Sequence, residues 1–200
     1  MAGRRIAVFG GTFDPFHLGH LAVAVQARDG IRAEEAWVVP AGVPPLRAPA
    51  HAPAADRLDM CRAAIAGTAG LRSLDLELRR LGPSYTIETM RDLASLHPDL
   101  ELWVVLGADA ARHVDGWRGA RELLGRFRFA LVNRAGEGAI HREEALSLGF
   151  RPDRTRILGI VSPNVSATEI RRRAAAGEPL VGLVAPAVAR LIAERGLYRR

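Results

Sequence analysis

The 200 residues contain no lysine, so all 28 formally basic side chains are arginine. Without a Gly-Lys pair there is no Walker-type P-loop, and without a lysine amine there is no Schiff-base chemistry. The single cysteine, Cys61, cannot close an internal disulfide, which predicts a reducing, cytoplasmic setting. It lies in a helical pattern and reads as a buried thiol rather than a reactive one. No apolar run reaches the roughly 20 residues of a membrane span, and the first residues lack a signal-peptide core, so no membrane partner is expected. Aromatic residues make up only 6% of the chain and the arginines are dispersed. A nucleic-acid platform needs a basic stripe interleaved with stacking rings, so no nucleic-acid partner is expected either. The net charge of +6 and pI near 10.9 suit polyphosphate ligands as well as nucleic acid and carry little weight alone.

What is present reads as one α/β domain over residues 1–200, with 48% hydrophobic residues and length enough for a sizeable core. Apolar strand candidates recur at 6–9, 36–39, 71–78, 102–106, 127–132 and 157–161. Helical patterns fill the gaps near 18–28, 55–66, 86–96, 109–115, 119–124, 167–176 and 186–195. The alternation of Leu74-Asp75-Leu76-Glu77-Leu78 suggests a strand with one wet face at a sheet edge. Strands alternating with helices predict a Rossmann-like, doubly wound, mostly parallel sheet with helices on both faces. Ligands then bind beyond the C-terminal ends of the strands. The proline-rich loop from Pro40 to Pro53 follows such an end and can border the site. Residues 135–156 read as surface variation, with a weak helix near 142–148.

The most informative stretch begins where the first strand ends: Gly10-Gly11-Thr12-Phe13-Asp14-Pro15-Phe16-His17-Leu18-Gly19-His20. Glycines let a polyanion approach the backbone, and the N–H groups of a helix start point at it. Two histidines three apart share one face of the first helical turn and can donate to phosphate oxygens. With Asp14 as the only other nearby ligand type, a zinc site is weakly supported. Asp14 itself could orient the loop or bind a metal, and both readings stay open. The stretch resembles the nucleotidyltransferase superfamily signature Gly-x-Phe-Asp-Pro-x-His-x-Gly-His, and every fixed position is met. Class I aminoacyl-tRNA synthetases share the His-x-Gly-His element, but their second signature depends on lysine.

A second segment, Val165-Ser166-Ala167-Thr168-Glu169-Ile170-Arg171, opens a helix. Ser166 with Glu169 three residues on is a capping-box signature, which accounts for Ser166 structurally. Arg171 stands one turn in, where a phosphate tail would rest, and arginine grips phosphate oxygens bidentately. Arg172 and Arg173 face elsewhere and read as solvated. The segment is similar to the second superfamily motif, Ile/Val-Ser-Ser/Ala-Thr-x-Ile/Leu-Arg. A third segment, Pro83-Ser84-Tyr85-Thr86, reads as a turn and cap before a helix. It also resembles the corresponding segment of bacterial nicotinate-nucleotide adenylyltransferases. So do Leu106-Gly107-Ala108-Asp109, Trp117 in its short helix-loop, and the ending Gly196-Leu197-Tyr198-Arg199. Family members often carry Pro-Pro-His-Lys after the second strand, where this chain has Pro44-Pro45-Leu46-Arg47. Arg47 keeps the charge, whereas Leu46 cannot hydrogen-bond. Ala135 stands where proline is common.

This resemblance implies the nucleotidyltransferase fold and adenylyl transfer from ATP to nicotinate mononucleotide, giving nicotinate adenine dinucleotide and pyrophosphate in NAD biosynthesis. It implies that His17, His20 and Arg171 are catalytic. Gly10, Gly11, Thr12, Phe13, Gly107, Asp109, Ser166 and Thr168 would bind ATP. Tyr85, Thr86, Trp117, Arg47 and Arg134 would bind the mononucleotide, Trp117 by stacking on the pyridine ring. On the residues alone, Trp117 also reads as an ordinary core or surface aromatic, and Arg134 as surface. Mg²⁺ would bridge the ATP phosphates with mostly water ligands and no assigned protein ligand. A homo-oligomer is compatible with the sequence. Phosphopantetheine adenylyltransferase shares the first two motifs but lacks the Pro83–Thr86 segment, and an enzyme preferring the amide remains an alternative.

Overall fold

A computed structural model describes residues 3–45, 49–134 and 138–199. Six strands form one sheet: β1 (Arg4–Gly11), β2 (Glu35–Pro40), β3 (Leu71–Ser73), β4 (Leu100–Gly107), β5 (Arg128–Arg134) and β6 (Thr155–Ile160). Eight α-helices connect and flank them: α1 (Leu18–Gly30), α2 (Ala54–Ile65), α3 (Thr86–Leu96), α4 (Ala108–Arg112), α5 (Ala120–Arg126), α6 (Arg142–Ser147), α7 (Ala167–Ala175) and α8 (Pro186–Glu194). All pairings are parallel, in the order β3-β2-β1-β4-β5-β6. The chain winds outward from β1 in one direction, then returns to β4 and winds the other way. The C-terminal ends of β1 and β4 therefore flank a topological switch point, where open α/β sheets bind ligands.

Two apolar layers explain why the strands read as continuous hydrophobic runs. On one face, Ala7, Phe9, Val38, Val105 and Val132 pack against Val23 and Ala27 of α1, Met60 and Cys61 of α2, Ile170 of α7 and Val188 and Ile192 of α8. On the other, Ile6, Val8, Trp37, Val104 and Leu131 pack against Ile87 and Met90 of α3, Ala111 of α4, Leu123 of α5 and Ala145 of α6. Strand periodicity sends neighbours to opposite faces, and both faces are covered. Cys61 is buried as expected, and burial pushes its thiol well above the ordinary range.

Three expectations are corrected. The strand expected over 71–78 ends at Ser73, and residues 75–80 turn instead, with the Leu78 and Arg79 N–H groups donating to the Asp75 carbonyl. The alternation there reflects Leu74 and Leu76 packing on the second layer while Glu77 is buried among polar partners. The described residues after 137 are built into the core rather than draped on it. Ile140 and Phe150 are buried, and the Asn133 side chain both donates to the Ile140 carbonyl and accepts its N–H at 2.9 Å. Arg172 and Arg173 are not merely solvated, because both pair with Glu169 and Arg172 also pairs with Glu178. Among the described residues no helix is long and apolar enough to cross a membrane.

Candidate active site

β1 runs out at Gly10 and Gly11, with Gly11 in register with Pro40 of β2. A Cβ on Gly11 would lie 2.7 Å from the Phe13 ring, closer than carbon atoms tolerate. Only glycine lets Phe13, held at φ 50°, fold inward across the strand end. Phe13 is buried, edge-on to Phe9 at 5.3 Å and tilted on Phe16 at 5.1 Å. This aromatic cluster forms the floor on which His20 sits, 5.0 Å from the Phe13 ring.

The histidines cap α1 reciprocally. His17 is the N-cap, its Nδ1 accepting the His20 backbone N–H at 3.3 Å, while His20 Nδ1 accepts the His17 backbone N–H at 3.3 Å. The rings stack with centroids 3.6 Å apart and planes 19° from parallel. Both Nδ1 atoms act as acceptors, so the Nε2 edges carry the N–H groups. His17 is only 4% exposed, and burial, followed by the nearby positive charge of Arg134, lowers its pKa from about 6.5 to about 4. His17 is thus neutral, and the pair aims ring N–H donors from a helix N-terminus, a setting suited to anions.

Asp14 and Arg171 tie this turn to the rest of the chain. The Asp14 carboxylate is buried, with Oδ1 accepting the Ala52 N–H at 3.1 Å and the Tyr198 hydroxyl at 2.8 Å. Its Oδ2 accepts the His51 N–H at 2.6 Å. Of the two roles open to Asp14, these contacts favour orientation of the loop. Arg171, one turn into α7, donates to the Asp14 carbonyl at 2.7 Å and to Thr168 Oγ1 at 3.3 Å. Ser166 caps α7 by accepting the Glu169 N–H at 3.2 Å. The reciprocal half of the capping box gives way to ion pairing, since Arg172 and Arg173 draw the Glu169 carboxyl down to about 2.

The remaining expected residues lie along the same sheet edge and beside it. Gly107 ends β4 in register with Val132 and is the N-cap of α4. Asp109, in that first turn, is 79% exposed and 3.6 Å from Arg112. Arg134 ends β5 and acts on His17 through its charge. Tyr85 is the N-cap of α3 and Thr86 its first residue, where helical N–H groups have no intrahelical partner. Trp117 follows a 3-10 turn, Val114–Gly116, and packs with Tyr85 on the second apolar layer. Its neighbour Arg118 lies over the Tyr85 ring at 4.7 Å and pairs with Glu88 at 3.3 Å. The glycine turn after β1 and the Tyr85 segment meet through Gly42, whose carbonyl accepts from Arg57 and whose N–H donates to Ser84. Arg47, with Leu46, and Ala135 lie outside the described residues.

Known proteins match nearly the whole of this chain. The cytidylyltransferase-like family model matches residues 8–173. A protein of Symbiobacterium thermophilum named "Probable nicotinate-nucleotide adenylyltransferase" is 44% identical over 98% of this chain and 96% of its own. One of the same name from Shouchella clausii is 39% identical over 98% and 97%. The chain belongs to the nicotinate-nucleotide adenylyltransferase family. Among solved structures, the Plasmodium falciparum nicotinic acid mononucleotide adenylyltransferase complexed with NaAD superposes with a TM-score of 0.80. It is 20% identical, with 98% of this chain and 97% of that one covered, and the likeness establishes the shared fold.

For an adenylyltransferase of this family, sequence reasoning passed over one conspicuous residue. Arg57 is 1% exposed and donates to the carbonyls of Thr12 at 2.7 Å, Gly42 at 3.2 Å and Ala52 at 3.3 Å. Burial lowers its pKa, and the nearby Asp14 charge opposes that. The signal was available: Arg57 precedes Cys61 by four residues and Ala64 by seven, so it shares their buried stripe. Tyr198 was marked only as part of a family-like ending, and its clasp on Asp14 was not foreseen. Burial and the Asp14 carboxylate both raise the pKa of its hydroxyl, which keeps it a donor.

Proposed function

We propose that the whole chain acts as one domain that transfers the adenylyl group of ATP, carried as its magnesium complex, to nicotinate mononucleotide. A 5′-phosphate oxygen of the mononucleotide attacks the α-phosphorus of ATP. The bond from that phosphorus to the bridging oxygen breaks, pyrophosphate leaves with the electron pair, and nicotinate adenine dinucleotide forms. The attacking group is already an oxyanion near neutral pH, so no strong base is needed and the protein's task is positioning and charge stabilisation. Cytoplasmic action fits the single buried cysteine.

The observation that carries this reading is the stacked His17–His20 pair, with both Nδ1 atoms engaged, at the switch point of the sheet. Its Nε2–H edges supply donors to the α-phosphate as charge moves, His20 being the less buried of the two rings. Arg171 takes the phosphate tail from the start of α7, near the Ser166 cap and Thr168. Gly10, Gly11, Thr12 and Phe13 shape the turn, and Gly107 and Asp109 border the adenosine. Magnesium would enter with ATP and offset the charge of its phosphates, and Asp14, committed to the loop, would not be its ligand. Tyr85 and Thr86 offer N–H groups to the nicotinate carboxylate, Trp117 stacks on the ring, and Arg134 and Arg47 meet the mononucleotide phosphate.

The test is pyrophosphate release from ATP and Mg²⁺ with nicotinate mononucleotide, its amide and phosphopantetheine run in parallel. Strong preference for the acid is expected. Preference for the amide would keep the mechanism and overturn the pocket, and activity only with phosphopantetheine would overturn the substrate.

A further inference from the structure

We propose that Arg57 is a positioning residue that sets the spacing between the phosphate turn and the loop that seats the acceptor mononucleotide. This rests on the functional reading above. Arg57 projects from α2 with no need to be charged for packing, because its neighbours on that face, Leu58, Met60, Cys61 and Ala64, are apolar and buried. Burying a guanidinium among them costs desolvation energy, so its donors must be matched. All three matches are backbone carbonyls on irregular segments. Nη1 holds Thr12 beyond β1, Nη2 holds Gly42 beyond β2, and Nε holds Ala52 before α2. A rigid planar fork fixes the separation of three carbonyls in a way that lysine or an aliphatic side chain cannot.

The link continues past Gly42 into the acceptor side. The Gly42 N–H donates to Ser84 Oγ at 3.0 Å, and Ser84 favours the charged form of the buried Glu77 carboxyl against the burial that raises its pKa. That carboxylate accepts from Thr89 Oγ1 at 2.5 Å, one turn into α3. A Cβ on Gly42 would strike the Glu77 carbonyl at 2.5 Å, so the loop sits tightly against this network. Thus one guanidinium touches the turn that carries the histidines and the loop braced on Ser84, immediately before Tyr85 and Thr86. In-line transfer depends on the relative placement of two phosphates, and a misplacement of about 1 Å costs on the order of a hundredfold.

The measurement compares wild type with Arg57→Met, Arg57→Lys and Ser84→Ala. Each is assayed for kcat with nicotinate mononucleotide, and for the Kd of a non-hydrolysable ATP analogue and of the mononucleotide separately. Arg57→Met is expected to lower kcat by about thirtyfold or more, with both Kd values within about threefold of wild type and no rescue by lysine. Ser84→Ala leaves Arg57 in place and is expected to lower kcat about fivefold to tenfold, again with both Kd values held. It carries the test should the Arg57 variants fail to fold. Wild-type kcat in the folded variants overturns the proposal. So does a loss of kcat matched by an equal loss of binding, which marks a merely structural role. A wild type inactive with nicotinate mononucleotide overturns the functional reading and this proposal with it.

Discussion

The His17 environment gives a pH dependence that can be worked out from the structure. In the unfolded chain His17 titrates near 6.5, whereas in the folded protein it takes a proton only near pH 4. Above pH 6.5 both states are neutral and the group has no effect on stability. As pH falls from 6.5 to 4 the unfolded chain gains a proton that the folded one refuses, so folding stability is lost across that window. Below pH 4 both are protonated and the loss is complete. A gap of about 2.5 pH units at ~1.36 kcal/mol each amounts to roughly 3 kcal/mol, of which about 2 kcal/mol is already lost at pH 5. The side chain is 4% exposed, so solvent screening does not discount the figure. The assay is urea unfolding of wild type and His17→Asn at pH 7.5 and pH 5. Asparagine can still cap α1, and every other titrating group is common to both proteins. Wild type should lose about 2 kcal/mol more than the variant between the two pH values. Identical pH dependence in the two proteins would refute the assignment of a buried, neutral His17.

Three further outcomes are expected. His20→Ala should lower kcat by about a hundredfold or more while its circular dichroism stays that of wild type, as for removal of one transition-state donor. A kcat near normal would remove His20 from the chemistry. Gly11→Ala forces its Cβ onto the Phe13 ring, and denaturant melting should show a loss of about 1–3 kcal/mol; unchanged stability would mean the turn relaxes freely. Trp117→Ala should raise KM for the mononucleotide about tenfold and leave KM for ATP unaltered, so an equal rise in both would place the ring elsewhere than on the pyridine.

The alternation of strands and helices was legible because both faces of the inner strands are covered, which leaves apolar runs between turn signals. Parallel order and the switch point follow from that alternation. The failures share one cause: local patterns do not reveal buried polar partners. Leu74 to Leu78 alternates like a half-wet strand, yet Glu77 is buried, with the hydroxyl of Thr89, far along the chain on α3, as its donor. In the stretch after 137, charges dilute the apolar signal of Ile140, Ala145 and Phe150, and contacts such as Arg112 with Glu144 at 2.6 Å absorb those charges. The phosphate turn was readable as a motif, but its supports were not. Asp14 reaches residues 51, 52 and 198, and Arg57 reaches 12 and 42, distances along the chain that no window contains.

The arginine-only basic set takes on a specific meaning in this fold. Away from the sheet edge the guanidinium groups meet carboxylates: Arg5 and Arg128 on Glu101, Arg91 on Glu122, Arg195 on Asp56 and Asp59, Arg172 on Glu169 and Glu178. Such pairs neutralise the surface locally. At the site the pattern changes. Arg57 holds three carbonyls and Arg171 donates to a carbonyl and a hydroxyl, all neutral acceptors. Neutral acceptors fix the geometry of a guanidinium without cancelling its charge. The carboxylate that does act on Arg57 is the buried Asp14, and the neutral state of His17 follows first from burial and then from the charge of Arg134.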